Sequence, residues 1–530
     1  MSHAAVDEHH IDPHIYQRRW AILAVLCLSL MIVIIGNTAL NVAIPRLAED
    51  LDASTTELQW MVDSYALVFA GMLFTAGTLG DRFGRKGALQ AGLVLFLIGT
   101  LAATFGDSST TVIAARAVMG LAAAFVMPST LSMLTNVFPA EERAKAIAVW
   151  AGISGGGAAI GPLASGFLLE HFWWGSVFLV NVPMILLALV LGKILLPTSR
   201  DPAQPPLDIP GALLSIAGLS ALVYGIIEGP LRGWTSGETL GVFAGAFVLL
   251  ALFAWRELST ADPMLDLRLF RDRRFSVASG GITLIFFAMF GTFFLISQYL
   301  QLVLGYSALE AGLFQLPIAF TLMALSPQAP RLVSRFGVAR IVPLGFTLVA
   351  TGLFIFSFMQ VDTAIWWNYV PILLLASGMA LSMSPLTTMI MSAVPVTKAG
   401  VGSAMNDTTR ELGGALGVAV LGSLLTSTYA SSLGDALTGL SGEQRAVAES
   451  GLVGAFDVAR SLGADGVAIA DAAKQAFVDG LGVAATVGAI VVGIAAVVTM
   501  RSLPRGVQPG VPRVPDADGS VDGDLARSTA

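Results

Sequence analysis

The chain is poor in the side chains that do chemistry. A single cysteine, Cys27, stands among 530 residues, so neither an intramolecular disulfide nor a paired thiolate metal site can form. Four of the five histidines, His3, His9, His10 and His14, crowd the polar N-terminus ahead of Arg18 and Arg19, a pattern expected of a solvated tail, with weak metal binding as the alternative. There is no metal-ligand cluster, no nucleotide loop and no separate catalytic domain. Neither an enzyme, nor an ATP-driven machine, nor a cofactor-dependent protein is therefore expected. Charged residues make up only 12% of the chain, against roughly 25% in soluble domains. The formal charge of -7 leaves little basic surface for nucleic acid.

What remains is apolar. Hydrophobic residues reach 55% and mean hydropathy is +0.77, which places the chain in a lipid bilayer. A transmembrane helix needs about 20 mostly apolar residues, and fourteen runs qualify. They are 20–44, 58–79, 87–105, 111–136, 145–169, 174–196, 209–228, 237–255, 276–303, 310–330, 338–360, 366–392, 399–429 and 478–500. The first is too long for a signal-peptide core and is expected to stay as an anchor. An even number of crossings returns the chain to its starting side. Only Arg46, Arg232, Arg445, Arg460 and Lys474 fall on the opposite side, while Arg116 and Arg410 lie within spans. Placement of Lys and Arg sets orientation, so both termini are expected in the cytoplasm.

Seven residues between the second and third runs, Gly80-Asp81-Arg82-Phe83-Gly84-Arg85-Lys86, form a tight connection with one acid and three bases. Such a loop suits a latch between helices, with Asp81 accepting charge-assisted hydrogen bonds from Arg85 and from the start of a facing helix. Arg335-Phe336-Gly337-Val338-Ala339-Arg340 echoes it between the tenth and eleventh runs. Repeated halves are common in transporters, and two adjacent six-helix halves would separate the copies by six spans. Here they are eight apart, so two extra spans, the seventh and eighth, are expected between the halves.

The expected organisation is a cytoplasmic tail (1–19), a first six-helix bundle (20–200), a linker with two extra spans (201–267) and a second six-helix bundle (268–502). An external connection at 430–477 suits one or two amphipathic helices, and a tail at 503–530, rich in Pro, Gly and Asp, is expected to be disordered. The fold class is thus an all-α integral membrane protein.

Ionisable groups inside a span cost about 2.5–3.5 kcal/mol on insertion scales and persist where they face a cavity or a partner. Five are found. Asp63, early in the second run, either binds a cation or a proton or sits in interfacial water. Arg116 in the fourth cannot lose its charge and should meet a carboxylate or backbone carbonyls of a facing helix. In the thirteenth, Asp407 and Glu411 share a helical face and Asp407 can pair with Arg410, which suits either a proton or cation site or a gate. The fifth run carries Gly157, Gly161, Pro162 and Gly166, small residues and a proline that allow close packing and bending.

These features together resemble the major facilitator superfamily. Gly80 to Lys86 resembles its signature loop, Arg116 with Gly120 its fourth-span motif, and Gly157, Gly161 and Pro162 its antiporter motif. Asn41-Val42-Ala43-Ile44-Pro45, Trp60-Met61-Val62-Asp63 and Asp262-Pro263-Met264-Leu265-Asp266 look like the fourteen-span drug:proton antiporters of the QacA/EmrB type, nearest the QacA branch. The resemblance spans about residue 18 to 502. It implies a bacterial inner-membrane exporter, functional as a monomer, that exchanges hydrophobic and often cationic drugs for protons, with Asp63, Asp407 and Glu411 as the carried-over acids. A narrow exporter or importer of one antibiotic or metabolite would share the fold and motifs. Three positions depart from the family pattern: Gly36 and Leu322 replace acids found in relatives, and Asn406 stands first in what can be an acidic pair.

Overall fold

The computed structural model describes residues 12–200, 208–260, 262–438 and 440–503. The N-terminal histidines up to His10, the stretch Pro202 to Pro206 and all but Leu503 of the tail expected to be disordered (503–530) lie outside the described residues.

Among the described residues, fourteen helices are long and apolar enough to cross a membrane. Spans 1 to 6 are Pro13–Thr38, Thr56–Phe83, Arg85–Thr104, Ser109–Val137, Ala140–His171 and Ser176–Leu195. Spans 7 and 8 are Ile209–Arg232 and Gly237–Ser259. Spans 9 to 14 are Arg273–Val303, Leu309–Phe336, Val338–Phe356, Trp366–Ala393, Val396–Leu433 and Val467–Ser502. Their starts follow from local chemistry: Ser54 with Glu57, and Ser307 with Glu310, form reciprocal capping boxes at spans 2 and 10.

The boundaries correct the sequence reading in three places. Span 1 stops at Thr38 rather than running to residue 44, and the Asn41 segment belongs to a separate short helix, Leu40–Asp50. Span 14 begins at Val467, so the connection before it is shorter than expected. It holds two short helices, Gly442–Glu449 and Leu452–Leu462. The third correction concerns Gly80 to Lys86, which is hardly a loop. Gly80 to Phe83 is the last turn of span 2 and Arg85 already begins span 3, leaving Gly84 alone to reverse the chain at φ 118°. Only glycine takes that backbone conformation without strain. Gly337 does the same at φ 85° between spans 10 and 11. In both turns the preceding arginine lies 5.3 Å from the neighbouring phenylalanine ring, Arg82 on Phe83 and Arg335 on Phe336. The repeat seen in the sequence is thus a repeat of shape.

Packing in lipid comes from close contact of small residues more than from the hydrophobic effect. In the first half, span 4 packs on spans 2 and 3, and span 1 on span 5. In the second half the same relations recur between spans 12, 10 and 11 and between spans 9 and 13. The halves meet along two seams, span 5 against span 10 and span 2 against span 13. At the second seam the backbones nearly touch: a Cβ on Gly77 would lie 2.7 Å from the Gly400 carbonyl oxygen. Span 8 packs on span 7, and span 7 packs on both span 2 and span 13.

Candidate transport site and interhelical latch

On the face from which span 1 starts, the two halves are tied by Asp81. Its carboxylate accepts from the Gly400 amide at 3.0 and 2.9 Å and from the Val401 amide at 3.3 Å, in the first turn of the α-helix Ala399–Leu433 that forms most of span 13. Those amides have no partner within their own helix and carry the positive end of its dipole. Arg85 completes the arrangement. It donates from Nε to Asp81 at 2.7 Å, and from Nη2 to the carbonyls of Val396 and Thr397 at 3.0 and 2.9 Å. Asp81 and Arg85 are 5% and 1% exposed, so water weakens this pair little. Lys86 caps the end of span 6 through the carbonyls of Lys193 and Leu196. The second repeat has Ser334 in the register of Asp81 and Val338 in that of Arg85, and the Ser334 hydroxyl donates locally to Arg331. The latch is one-sided.

Half a membrane away, Asp407, Arg410 and Glu411 project from span 13 into a small cavity closed by Asn37, Tyr65, Ser154, Phe286 and Phe290. Its volume is about 50 Å³, room for a water or two, whereas sites for drug-sized ligands occupy roughly 300–1,000 Å³. Asp407 is 1% exposed. Its Oδ1 takes a hydrogen bond from Asn406 at 3.3 Å and faces Arg410 Nη1 at 3.6 Å, while Oδ2 has no hydrogen-bond partner among the described residues. Asn406 is itself held by the Thr387 hydroxyl of span 12 at 3.0 Å. Arg410 reaches across to the first half, donating to the Ser154 hydroxyl of span 5 at 2.5 Å, with Phe286 at 4.5 Å and Trp150 at 5.3 Å. A continuous polar chain, Thr387–Asn406–Asp407–Arg410–Ser154, therefore crosses between the halves.

Arg116 is fully buried and takes the carbonyl alternative. It donates to Met61 O and Gly36 O at 2.9 Å each and to Asn37 Oδ1 at 3.4 Å, and lies 4.4 Å from the Tyr65 ring. Among the described residues no carboxylate pairs with it, so it staples spans 1, 2 and 4 together next to the cavity without lining it. Asp63 is also elsewhere. It does not line the cavity; it is half-buried beside Gln59, with Glu228 of span 7 within electrostatic range. The glycines of span 5 serve two neighbours. Gly157 and Gly161 lie against Ile34 and Thr38 of span 1, while Gly155 and Gly166 lie against Leu322 and Leu309 of span 10. Pro162 sits within that helix. Leu322, one of the departures, is thus buried at the seam, and at Gly36 any side chain would meet the Phe96 ring at 2.7 Å.

The sequence reading missed Ser154, Tyr65 and Glu228, none of which has a motif of its own. Glu228 carried the only available signal, an acid near the end of an apolar run.

The sequence profile of the Major Facilitator Superfamily matches residues 26–418. The multidrug efflux pump LfrA of Mycolicibacterium smegmatis is 38% identical over 91% of this chain and 95% of its own. The methyl viologen resistance protein SmvA of Salmonella typhimurium is 37% identical over 87% and 93%. The tetracenomycin C resistance and export protein of Streptomyces glaucescens is 32% identical over 91% of each. Among solved structures, the human organic anion transporter MFSD10 superposes with a TM-score of 0.57 at 12% identity, covering 92% of this chain and all of that one, a likeness of fold alone. Fourteen spans, paired halves, the one-sided latch and these matches converge on one conclusion: this chain is a multi-pass membrane protein that belongs to the major facilitator superfamily.

Proposed function

We propose that the chain exports hydrophobic, often cationic, drugs or dyes from the bacterial cytoplasm and inner leaflet in exchange for protons, as a monomer in the inner membrane. The observation that carries this reading is the buried Asp407–Arg410–Ser154 link between the halves, with one Asp407 oxygen uncommitted. The names of the relatives support it, since LfrA is a multidrug efflux pump and SmvA confers methyl viologen resistance. On this reading the basic latch face is cytoplasmic, and the conformation described is closed on that side.

Alternating access then follows from charge. An ionised Asp407 attracts Arg410 at 3.6 Å. A proton on Asp407 removes that attraction, so the buried Arg410 must redistribute among Ser154, its aromatic neighbours and Glu411, and the tie between the halves at the cavity is reset. The cavity must widen severalfold to admit a drug, so substrate entry and the rearrangement of Arg410 are the same event. Asp63 belongs to a second, outer acidic position next to span 7, suited to the passage of cations. The tetracenomycin C relative keeps export of a single antibiotic as the alternative reading.

Dye and drug efflux into everted vesicles, driven by an imposed pH gradient across a panel of monovalent, divalent and neutral compounds, tests the proposal. Gradient-driven transport of several unrelated compounds, lost in Asp407→Asn, is expected. Transport of one compound alone favours the alternative, and undiminished gradient-driven transport in Asp407→Asn removes Asp407 from the mechanism.

A further inference from the structure

Spans 7 and 8 separate the halves in sequence, yet span 7 lies across the seam between span 2 and span 13, touching both. Its side-chain hydrogen bonds to spans 2 and 13 run from mid-membrane to the face opposite the latch, while its latch-face start is tied to span 8 by Asp208 and Arg256. The Ser220 hydroxyl donates to the Leu67 carbonyl of span 2 at 3.3 Å, and one turn or two further on Gln59 of span 2 donates to Glu228 at 3.3 Å. Beyond the end of span 7, the Trp234 indole N–H donates to the Ser423 hydroxyl of span 13 at 3.0 Å. Glu228 is fixed from its other oxygen by Arg232 at 2.6 Å, which also pairs with Glu238 at the start of span 8. Trp60 of span 2 stacks on Tyr224 of span 7 at 6.4 Å, and Trp234 stacks on Phe243 of span 8, also at 6.4 Å.

The consequence is geometric. When the outer ends of spans 2 and 13 part to release substrate, one short segment, Glu228 to Trp234, is bonded to both. It cannot follow both. Either Gln59–Glu228 or Trp234–Ser423 must break for the outer side to open. The first of these is backed by the Ser220 bond and the Trp60–Tyr224 stack on the same helix, while among the described residues the second is the one side-chain hydrogen bond from the hairpin to span 13, beside apolar packing of span 7 on that helix. We propose that the span 7–8 hairpin is an outer bolt across this seam, with Trp234–Ser423 as the bond that opens, so that Trp234 and Ser423 set how readily the exporter faces outward. The bolt is the outer counterpart of the Asp81–Gly400 latch on the same pair of spans, and the two hold opposite ends of one seam. This deepens the export reading and rests on it for its meaning, though not for its test.

The test uses the full chain with Cys27→Ser, spin-labelled at the exposed positions Thr56→Cys (start of span 2) and Ser432→Cys (end of span 13), reconstituted in lipid. Pulsed electron resonance reads the distance distribution across the outer end of the seam. Removing one net hydrogen bond should raise the ratio of the long-distance to the short-distance population roughly three- to tenfold. Trp234→Phe, which keeps the stack on Phe243, and Ser423→Ala should each do so, and the double variant should add little to either single because both remove the same bond. Trp255→Phe, on the exposed flank of span 8, should leave the distribution unchanged. Ser423→Ala carries the test if Trp234→Phe does not fold. The proposal is overturned by wild-type distributions in the folded variants, or by an equal shift in Trp255→Phe. Since the distances need neither substrate nor gradient, absent efflux in wild-type vesicles defeats the export reading and leaves the bolt to be judged separately.

Discussion

Both oxygens of the Asp81 carboxylate lie within 3.0 Å of the Gly400 amide nitrogen, so the last turn of span 2 ends on the first turn of the α-helix Ala399–Leu433 of span 13. The amides at a helix start offer several donors and a favourable dipole at once, and the bond reforms whenever the helices return.

The latch should fail when its charge is removed. Asp81→Asn leaves Arg85 buried without its carboxylate, a loss of roughly 3 kcal/mol for a buried pair. Distances across the latch-face end of spans 2 and 13 should broaden, and initial efflux rates should fall at least tenfold. Unaltered distances would show that the Gly77–Gly400 contact alone holds this end.

Charge is not what matters at Arg116. Its fork serves Met61, Gly36 and Asn37 at once, a geometry that an ammonium cannot reproduce. Arg116→Lys should lower stability by about 2 kcal/mol, seen as a lower melting temperature in detergent, although the positive charge is kept.

Glycine positions should sort by what they face. A Cβ on Gly413 would run into the Thr283 backbone carbonyl, whereas one on Gly87 meets nothing within 4 Å. Gly413→Ala should cost about 1–3 kcal/mol because spans 9 and 13 must separate, while Gly87→Ala should not lower the melting temperature at all.

The two acidic positions should behave differently in transport. Asp407→Asn should abolish gradient-driven efflux of every substrate, whereas Asp63→Asn, away from the cavity, should reduce transport of cationic compounds and spare neutral ones. Parallel losses across a charged and neutral panel would place both acids in one coupling step.

Particular residues show why part of this was readable in advance. The fourteen spans were legible because a bilayer of fixed thickness demands runs of fixed length, and the count needed no knowledge of neighbours. The doubled turn was legible too, since Gly84 and Gly337 each follow an Arg-Phe pair. Asp407 and Arg410 could be paired because helix periodicity alone brings them together. Arg116 was visible only as an anomaly. That its partners are carbonyls of spans 1 and 2 depends on which helices lie beside span 4, and hydropathy contains no such information.

Sequence by itself therefore determined the membrane class, the number of apolar runs long enough to cross, and the pairing of Asp407 with Arg410 along one helix. Each is a property of one segment, or of spacing along one helix. Tertiary structure alone decided that Asp63 lies outside the cavity lined by Asp407, that Arg410 reaches Ser154, and that span 7 lies across a seam. Those relationships join segments far apart in the chain, and they are set by how small residues such as Gly77 and Gly400 let particular helix faces meet.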